Sequence, residues 1–416
     1  MGLKFRLSTL SFLEFFIWGA WLISLGSYAG NTLHFDGVQI GSFFATMGVA
    51  SIFMPALLGV VADKWIPAQK LLGVCHIVGA GLLVWASTQG DYVGLYSLMF
   101  LYVIVYMPTI ALHNSVMFGI LEQNGKDVVK DFSPVRVWGT IGFIVAMWVV
   151  DLTGFKYNET QFLFAAAASV VLGLYSFSLP NQPVNRGGEK KTLVDALGLS
   201  AFTLFRKKEM AVFFIFAMLL GAALQITNGF GDLFLTSFAA DPQYAASFGV
   251  KHSVVLLSIS QIAETAFILT IPFFLKRFGI KTVMLMSMFA WVIRFGLFGL
   301  GNPGDGLWML VVSMVVYGMA FDFFNISGSL FVNQSVDGRI RSSAQGLFML
   351  MSNGLGAVMG SYGAGAVVKS YTVDGQTDWT IVWMIFAAYA LVIGVGFLLL
   401  FRYRHDPAKG IERAGD

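Results

Sequence analysis

Residues Ser253–Leu275 read SVVLLSISQIAETAFILTIPFFL. Glu264 is the only ionisable side chain in these 23 residues, and cations bracket them, Lys251 and His252 before, Lys276 and Arg277 after. As one continuous helix the stretch would be roughly 34 Å long at about 1.5 Å per residue, enough to cross the hydrocarbon core of a bilayer. The carboxylate would then sit near the midplane. A charge there is costly and in membrane proteins faces a cavity or a partner rather than lipid. Asp322 repeats the arrangement as the only charge between Asp305 and Asp337. Two isolated carboxylates at that depth point to a pathway for protons or a solute.

The whole chain agrees with a membrane setting. Of its 416 residues 57% are hydrophobic and 12% charged, with a mean hydropathy of +0.74; a soluble domain carries about 25% charged residues. The single cysteine, Cys75, excludes an internal disulfide and a thiolate metal cluster. The net charge of +3 decides little, because in a membrane protein the placement of charge matters more than its sum. Leu7–Gly30 is too long for the apolar core of a cleaved signal and reads as the first transmembrane helix.

Apolar runs long enough to span recur at 7–30, 38–62, 69–89, 92–119, 133–150, 161–180, 209–238, 253–275, 281–301, 307–333, 342–368 and 379–402. The expected fold is therefore an all-α polytopic protein of twelve transmembrane helices in two six-helix bundles. The loops on the side of the termini hold 21 Lys and Arg, and the opposite loops hold Lys156, Lys251 and Lys369. That asymmetry places both termini in the cytoplasm. Residues 1–180 are expected to form the first bundle and 209–416 the second. Residues 181–208 form a cytoplasmic linker: its first part, NQPVNRGGEKK, is loop-like, and Leu193, Leu197, Ala201, Leu204 and Phe205 further on suit an amphipathic helix on the membrane surface.

Gly59, Asp63, Lys64 and Lys70 follow the second run as G-x3-D-K-x5-K. This motif resembles the loop 2–3 signature of the major facilitator superfamily, in which the acid and its basic neighbours make cytoplasmic contacts that help hold one state of the transport cycle. Phe53–Gly59 (FMPALLG), Arg136–Phe143 (RVWGTIGF), Leu224–Asn228 (LQITN), Ile259–Glu264 (ISQIAE) and Ala320–Ser329 (AFDFFNISGS) are similar to segments of the bacterial nucleoside:proton symporters, in both the nucleoside permease and xanthosine permease branches. The resemblance runs essentially the full length. It implies the major facilitator fold, a nucleoside and protons as partners, no cofactor beyond the proton gradient, no nucleic acid, and a monomer working in the bacterial inner membrane.

The polar positions inside the runs are the candidate site. Arg136, Thr140 and Phe143 share one face of the fifth run at i, i+4, i+7. Arg136 alone could be a snorkelling positive-inside residue, and the resemblance makes its face a ligand face. Gln225 with Asn228, and Gln261 with Glu264, are i, i+3 pairs whose amides suit the mixed donor and acceptor edges of a nucleobase and ribose hydroxyls, or equally could join helices. Tyr317, Phe321 and Asp322 lie on the tenth run, where aromatic rings could stack on a flat base. Glu264 is expected to combine substrate binding with protonation, and Asp322 is the other proton-coupling candidate. The competing reading pairs either acid structurally with Arg136 or Arg294.

Glu14 shares a face with Trp18 and Trp21, and the families it resembles carry a neutral Gln there, so it either tunes coupling or meets water at the inner end. Arg294 is expected in a structural ion pair, and His76 and His113 as packing residues. Gly354, Gly356, Gly360, Gly363 and Gly365 suit close helix packing or a hinge.

The function expected is proton-coupled nucleoside import by alternating access. A proton symporter for another polar solute, such as an oligosaccharide, is the neighbouring reading. A non-transporting receptor or an intramembrane enzyme is less compatible, since the termini are short and no clustered nucleophile, base or metal set appears. No Walker motif is present, which argues against ATP hydrolysis by this chain.

Overall fold

The computed structural model describes residues 2–182, 199–337 and 340–403. Helix occupies each of the apolar runs. The first bundle holds α1 (Leu3–Gly19), α2 (Gly37–Lys64), α3 (Ala68–Ala86), α4 (Tyr92–Gln123), α5 (Val128–Leu152) and α6 (Thr160–Phe177). After the linker come α7 (Lys208–Ser237), α8 (Ile259–Ile268), α9 (Ile271–Leu300), α10 (Leu307–Ser335), α11 (Ala357–Ser370) and α12 (Trp379–Leu400). Aspartates begin several of them. Asp36, Asp91, Asp127 and Asp378 each accept a backbone N–H of the first turn, and Asp36 with Gln39 forms a reciprocal capping box.

Nine helices among the described residues are long and apolar enough to cross a membrane. The runs at 7–30, 253–275 and 342–368 are instead interrupted. The first passes from α1 through Leu25–Ser27 into a π-helical turn at Tyr28–Thr32, and the last contains a π-helical segment, Leu350–Gly356, between Arg341–Met349 and α11. The stretch around Glu264 corrects the expectation of one continuous helix: it is divided into Ser253–Leu257, α8 and the start of α9. Ser258 and Thr270 stand at the two breaks and donate their hydroxyls back to Val255 O and Phe267 O, both at 2.7 Å, which competes with the helical ladder. Pro272 has no N–H to continue it. The eighth and ninth runs are joined without a loop through Gly279, at φ 76° and ψ 166°, a conformation that glycine adopts without a Cβ clash.

Within the first bundle α1 packs on α5 and α6, α3 on α4 and α6, and α2 on α4; in the second, α10 packs on α8 and α9, and α9 on α12. Between the halves α2 runs along α11. Small residues permit that approach: a Cβ at Gly41 would collide with Ser361 O, and one at Gly365 with Gly37 O. Of the five glycines expected to serve close packing, Gly363 faces open space.

Hydrogen bonds and ion pairs joining the halves cluster at the end opposite the Lys- and Arg-rich loops. Asn31 and Ser27 bond Thr236 at 2.9 and 3.3 Å, Trp148 Nε1 donates to Ser258 at 2.8 Å, and Lys369 pairs with Asp36 at 2.8 Å. The most buried part is a knot around Lys156, which is 0% exposed. Its ammonium pairs with Asp151 and donates to Ser253 Oγ at 3.0 Å and Lys251 O at 2.9 Å, while Ser253 donates to Asp232 and His252 Nδ1 lies 3.2 Å from Asp151. Burial alone would push this lysine down, but the carboxylates of Asp232 and Asp151 outweigh it and hold the ammonium above its ordinary value. The sequence presents Lys156 only as a loop charge. The chain is thus closed at this end.

Of the linker, Leu199–Arg206 forms a 3₁₀ helix with Ala201 and Leu204 buried, and Phe205 packs on Phe214 of α7 at 5.5 Å. Leu193 and Leu197 lie outside the described residues. A two-residue-strand hairpin, β1 (Thr372–Val373) with β2 (Gln376–Thr377), turns through Asp374 and Gly375, both at positive φ, as a tight type I′ hairpin requires.

Candidate functional site

The site is assembled where α5 of the first half faces α8 and α10 of the second. Gly318 makes the second-half portion possible: a Cβ there would press on Ala263 and on the backbone N of Glu264 at 2.8 Å, so only glycine lets α10 lie this close to α8. The approach brings Glu264 within electrostatic reach of Tyr317 and Asp322. Glu264 is half-buried, and Tyr317 and Asp322 are buried at 5% exposure. Asp322 Oδ2 has no hydrogen-bond partner among the described residues. A buried carboxylate oxygen without a donor is costly if charged, so this position favours a proton or a ligand donor.

Arg136 approaches from the other half. Its guanidinium lies 3.8 Å from the centre of the Phe15 ring and within electrostatic reach of both Glu264 and Glu14. No ion pair within 4 Å ties it to either acid. One turn along α5 is Thr140, and beyond it Phe143 meets Trp18 edge-to-face at 6.2 Å. Trp18 Nε1 is buried without a hydrogen-bond partner among the described residues. This indole N–H is a polar group that the sequence shows only as a face-mate of Glu14.

Tyr317 and Phe321 stack in parallel, 5.9 Å apart with planes 2° from each other. Phe321 also lines a small cavity with Leu224 of α7, Trp291, Asn325 and Asn353. Gln225, next to Leu224, is buried, its Oε1 without a hydrogen-bond partner among the described residues; Asn228 lies one turn on and is half-buried. Gln261 is half-buried on α8, one turn before Glu264. The structure therefore brings Glu264 within electrostatic reach of Arg136, Tyr317 and Asp322, with Phe321 stacked on Tyr317, while the cavity that Phe321 lines takes Leu220, Gly221 and Leu224 from α7 and neither of its amides.

Other expectations are corrected. Arg294, expected in an ion pair, is buried without one among the described residues: its guanidinium bonds Ser313 O at 3.0 Å and Ser260 Oγ at 3.3 Å and lies 4.6 Å from the Tyr317 ring centre. Weak hydration of the guanidinium and cation–π contact make this arrangement tolerable. Glu14 does not meet water; it is 0% exposed and bonded to His76, which is no mere packing residue. For the loop 2–3 motif, the side chains of Asp63 and Lys64 lie outside the described residues, Gly59 has open space about it, and Lys70 is exposed. A larger cavity of 640 Å³ opens at the end of the basic loops, bordered by Asn114, Phe118, Glu122 and Gln182, and contains none of the candidate site residues.

Truncating the amides tests the site directly. Gln225→Ala, Asn228→Ala and Gln261→Ala are each expected to weaken nucleoside binding by about 1–3 kcal/mol where a buried substrate group is left unpaired. Calorimetry on folded variants measures this, and three affinities equal to the parent's would move the site elsewhere.

Comparison with known proteins agrees with this architecture. The family model for the nucleoside H+ symporters matches residues 1–406. The xanthosine permease of Escherichia coli (strain K12) is 52% identical over 415 residues, covering 100% of this chain and 99% of that protein. The nucleoside permease NupG of the same organism is 50% identical over 406 residues, 97% of each. A crystal structure of the nucleoside transporter NupG superposes with a TM-score of 0.92 at 50% identity, covering 97% of this chain and all of that one, which gives the present chain the major facilitator fold. The chain belongs to the nucleoside H+ symporter family.

Proposed function

We propose that the protein imports nucleosides across the bacterial inner membrane together with protons, by alternating access of its two halves. The observation that carries this reading is Glu264 within electrostatic reach of both Asp322 and Arg136 of the opposite half, with the stacked Tyr317–Phe321 pair on the same helix as Asp322. In it, Arg136, Thr140, Phe143, Gln225, Asn228, Gln261, Glu264, Tyr317, Phe321 and Asp322 bind the substrate. A flat base stacks on the aromatic rings, the amides pair with base edges and ribose hydroxyls, and a carboxylate gains or loses a proton as its surroundings change.

The basic end faces the cytoplasm by the positive-inside rule, so the closed end with Lys156 faces outward and the conformation is inward-facing. Gly59, Asp63, Lys64 and Lys70 would then contribute to the opposite closure. The protein works as a monomer, with the bilayer as its solvent and the proton gradient as its energy source.

Uptake of radiolabelled uridine and xanthosine into vesicles, with and without an imposed pH gradient, tests the proposal. Accumulation is expected only with the gradient, while downhill exchange survives its collapse. Undiminished accumulation in a protonophore, with any sodium gradient absent, would rule out proton symport. Competition by disaccharides rather than nucleosides would transfer the reading to a sugar.

A further inference from the structure

The first half contains a buried cluster of titratable groups that the substrate site does not use. Glu14 of α1 places Oε2 2.9 Å from His76 Nε2 of α3 and accepts a hydrogen bond at Oε1 from Thr109 of α4 at 2.6 Å. Tyr106 OH donates to the Glu14 carbonyl at 2.7 Å. Glu14, His76 and Thr109 are all at most 2% exposed. Three helices thus converge on one carboxylate, and both of its oxygens are met by side chains.

Polar side chains lie between the cluster and the large cavity. Asn114 borders that cavity, and its Oδ1 is 3.2 Å from His113 Nδ1. His113 Nε2 is 3.0 Å from Ser11 Oγ. Ser11 precedes Glu14 by three residues, so the two share a face of α1. His113 lies within electrostatic reach of both Glu14 and His76. Around Glu14, the titratable groups in reach are His76 and Cys75 from α3, Tyr102, Tyr106 and His113 from α4, and Arg136 from α5.

We infer that the Glu14–His76 pair is a second proton-binding site, exchanging its proton with the cavity at the basic end. When loaded, the pair is a carboxylate facing an imidazolium and is neutral overall. On unloading, one ring proton leaves toward the cavity, the imidazole keeps the N–H that faces the carboxylate, and the pair carries one negative charge. Arg136 senses the change, because it lies within electrostatic reach of both Glu14 and Glu264. With the pair loaded, the guanidinium field acts chiefly on Glu264; with it unloaded, that field is shared. Occupancy by a proton in the first half therefore alters the electrostatics of the carboxylate in the second.

This inference rests on the proton-coupled reading, and the experiment separates the two. Proton uptake on adding uridine is measured with a pH indicator in weakly buffered detergent solution across a pH series, for the parent, Glu14→Gln and His76→Gln. The parent is expected to show two pH-dependent steps. Each variant is expected to lose one step while retaining uridine binding and the step that depends on Glu264 or Asp322. Infrared difference spectra of the parent between two pH values, with Glu14 or histidine isotope labels, report the same exchange without a mutation. They should show an imidazole band change that is absent when His76 is replaced. Parental pH profiles in both variants would overturn the inference and leave the coupling reading intact. If the variants fail to fold, a parent spectrum without histidine exchange overturns it equally. A parent that takes up no protons with uridine, but whose His76 exchanges, would sink the symport reading and leave the proton site standing.

Discussion

Glu264→Gln is expected to collapse gradient-driven nucleoside accumulation to the level of simple equilibration, while Asp322→Asn separates the roles of the two acids. Each amide keeps the size and hydrogen-bonding capacity of the acid but removes its titration. The magnitude follows from linkage: one pH unit is worth about 1.36 kcal/mol per proton, so a single coupled proton sustains roughly tenfold accumulation across such a gradient. Loss of the coupling group forfeits that factor. The two carboxylates lie within electrostatic reach of each other, so their titration is a property of the pair. Glu264 also faces Arg136 and shares a face with Gln261, so its amide variant should weaken equilibrium binding as well as coupling. A group held only for structure behaves otherwise: its variant loses thermal stability and keeps a normal accumulation ratio. Paired measurements of uptake in vesicles and binding in detergent decide this. Normal gradient-driven uptake in both amide variants would remove both acids from the coupling role.

Lys156→Met should open the end that this structure holds closed. Removing the ammonium leaves Asp151 without its cation and Ser253 without its donor, next to buried Asp232. The pair with Asp151 lies within the first half, but across the seam the ammonium donates to Ser253 Oγ and Lys251 O; hydrogen bonds from a charged donor are worth about 1.5–3 kcal/mol each, and at about 1.4 kcal/mol per decade the closed state would lose two orders of magnitude or more in population. The side chain joins the halves, so the cost falls on closure rather than on either bundle alone. Trp148, which bonds Ser258 across the same seam, serves as the reporter through iodide quenching of fluorescence, its share among the ten tryptophans taken as the difference from a Trp148→Phe control. Quenching is expected to rise in Lys156→Met, and uptake to fall because the transporter no longer returns efficiently to its inward-facing form. Parental quenching would show that the seam is held elsewhere, with the glycine contacts of α2 and α11 as the next candidates.

Glu14, His76 and Arg294 owe their surroundings to neighbours on other helices. Each is visible in the sequence as a polar residue inside an apolar run. Helical spacing relates residues on one helix, and it puts Phe321 one turn beyond Tyr317, where the two rings are found stacked. It carries no information on which helix lies alongside, so the Glu14–His76 pair, 62 residues apart, and the absence of an acid beside Arg294 required the packed bundle. The break at Ser258 was present in outline as a serine within an apolar stretch, but a hydroxyl bonding back to its own helix is one of several choices open to such a residue.

By itself the sequence determined the membrane setting, the all-α class and the order of the helices, and it singled out Glu264 and Asp322 as lone acids in apolar stretches, because bilayer thickness and the cost of buried charge act on single segments. Only the tertiary structure decided which faces meet: that Gly318 lets α10 lie close on α8, that Arg136 is within electrostatic reach of acids of both halves, and that Lys156 is the centre of a buried knot rather than a loop charge. Those outcomes depend on close packing between segments distant in the chain, where a missing Cβ or a single ammonium sets the approach of two helices, and no local pattern encodes that distance.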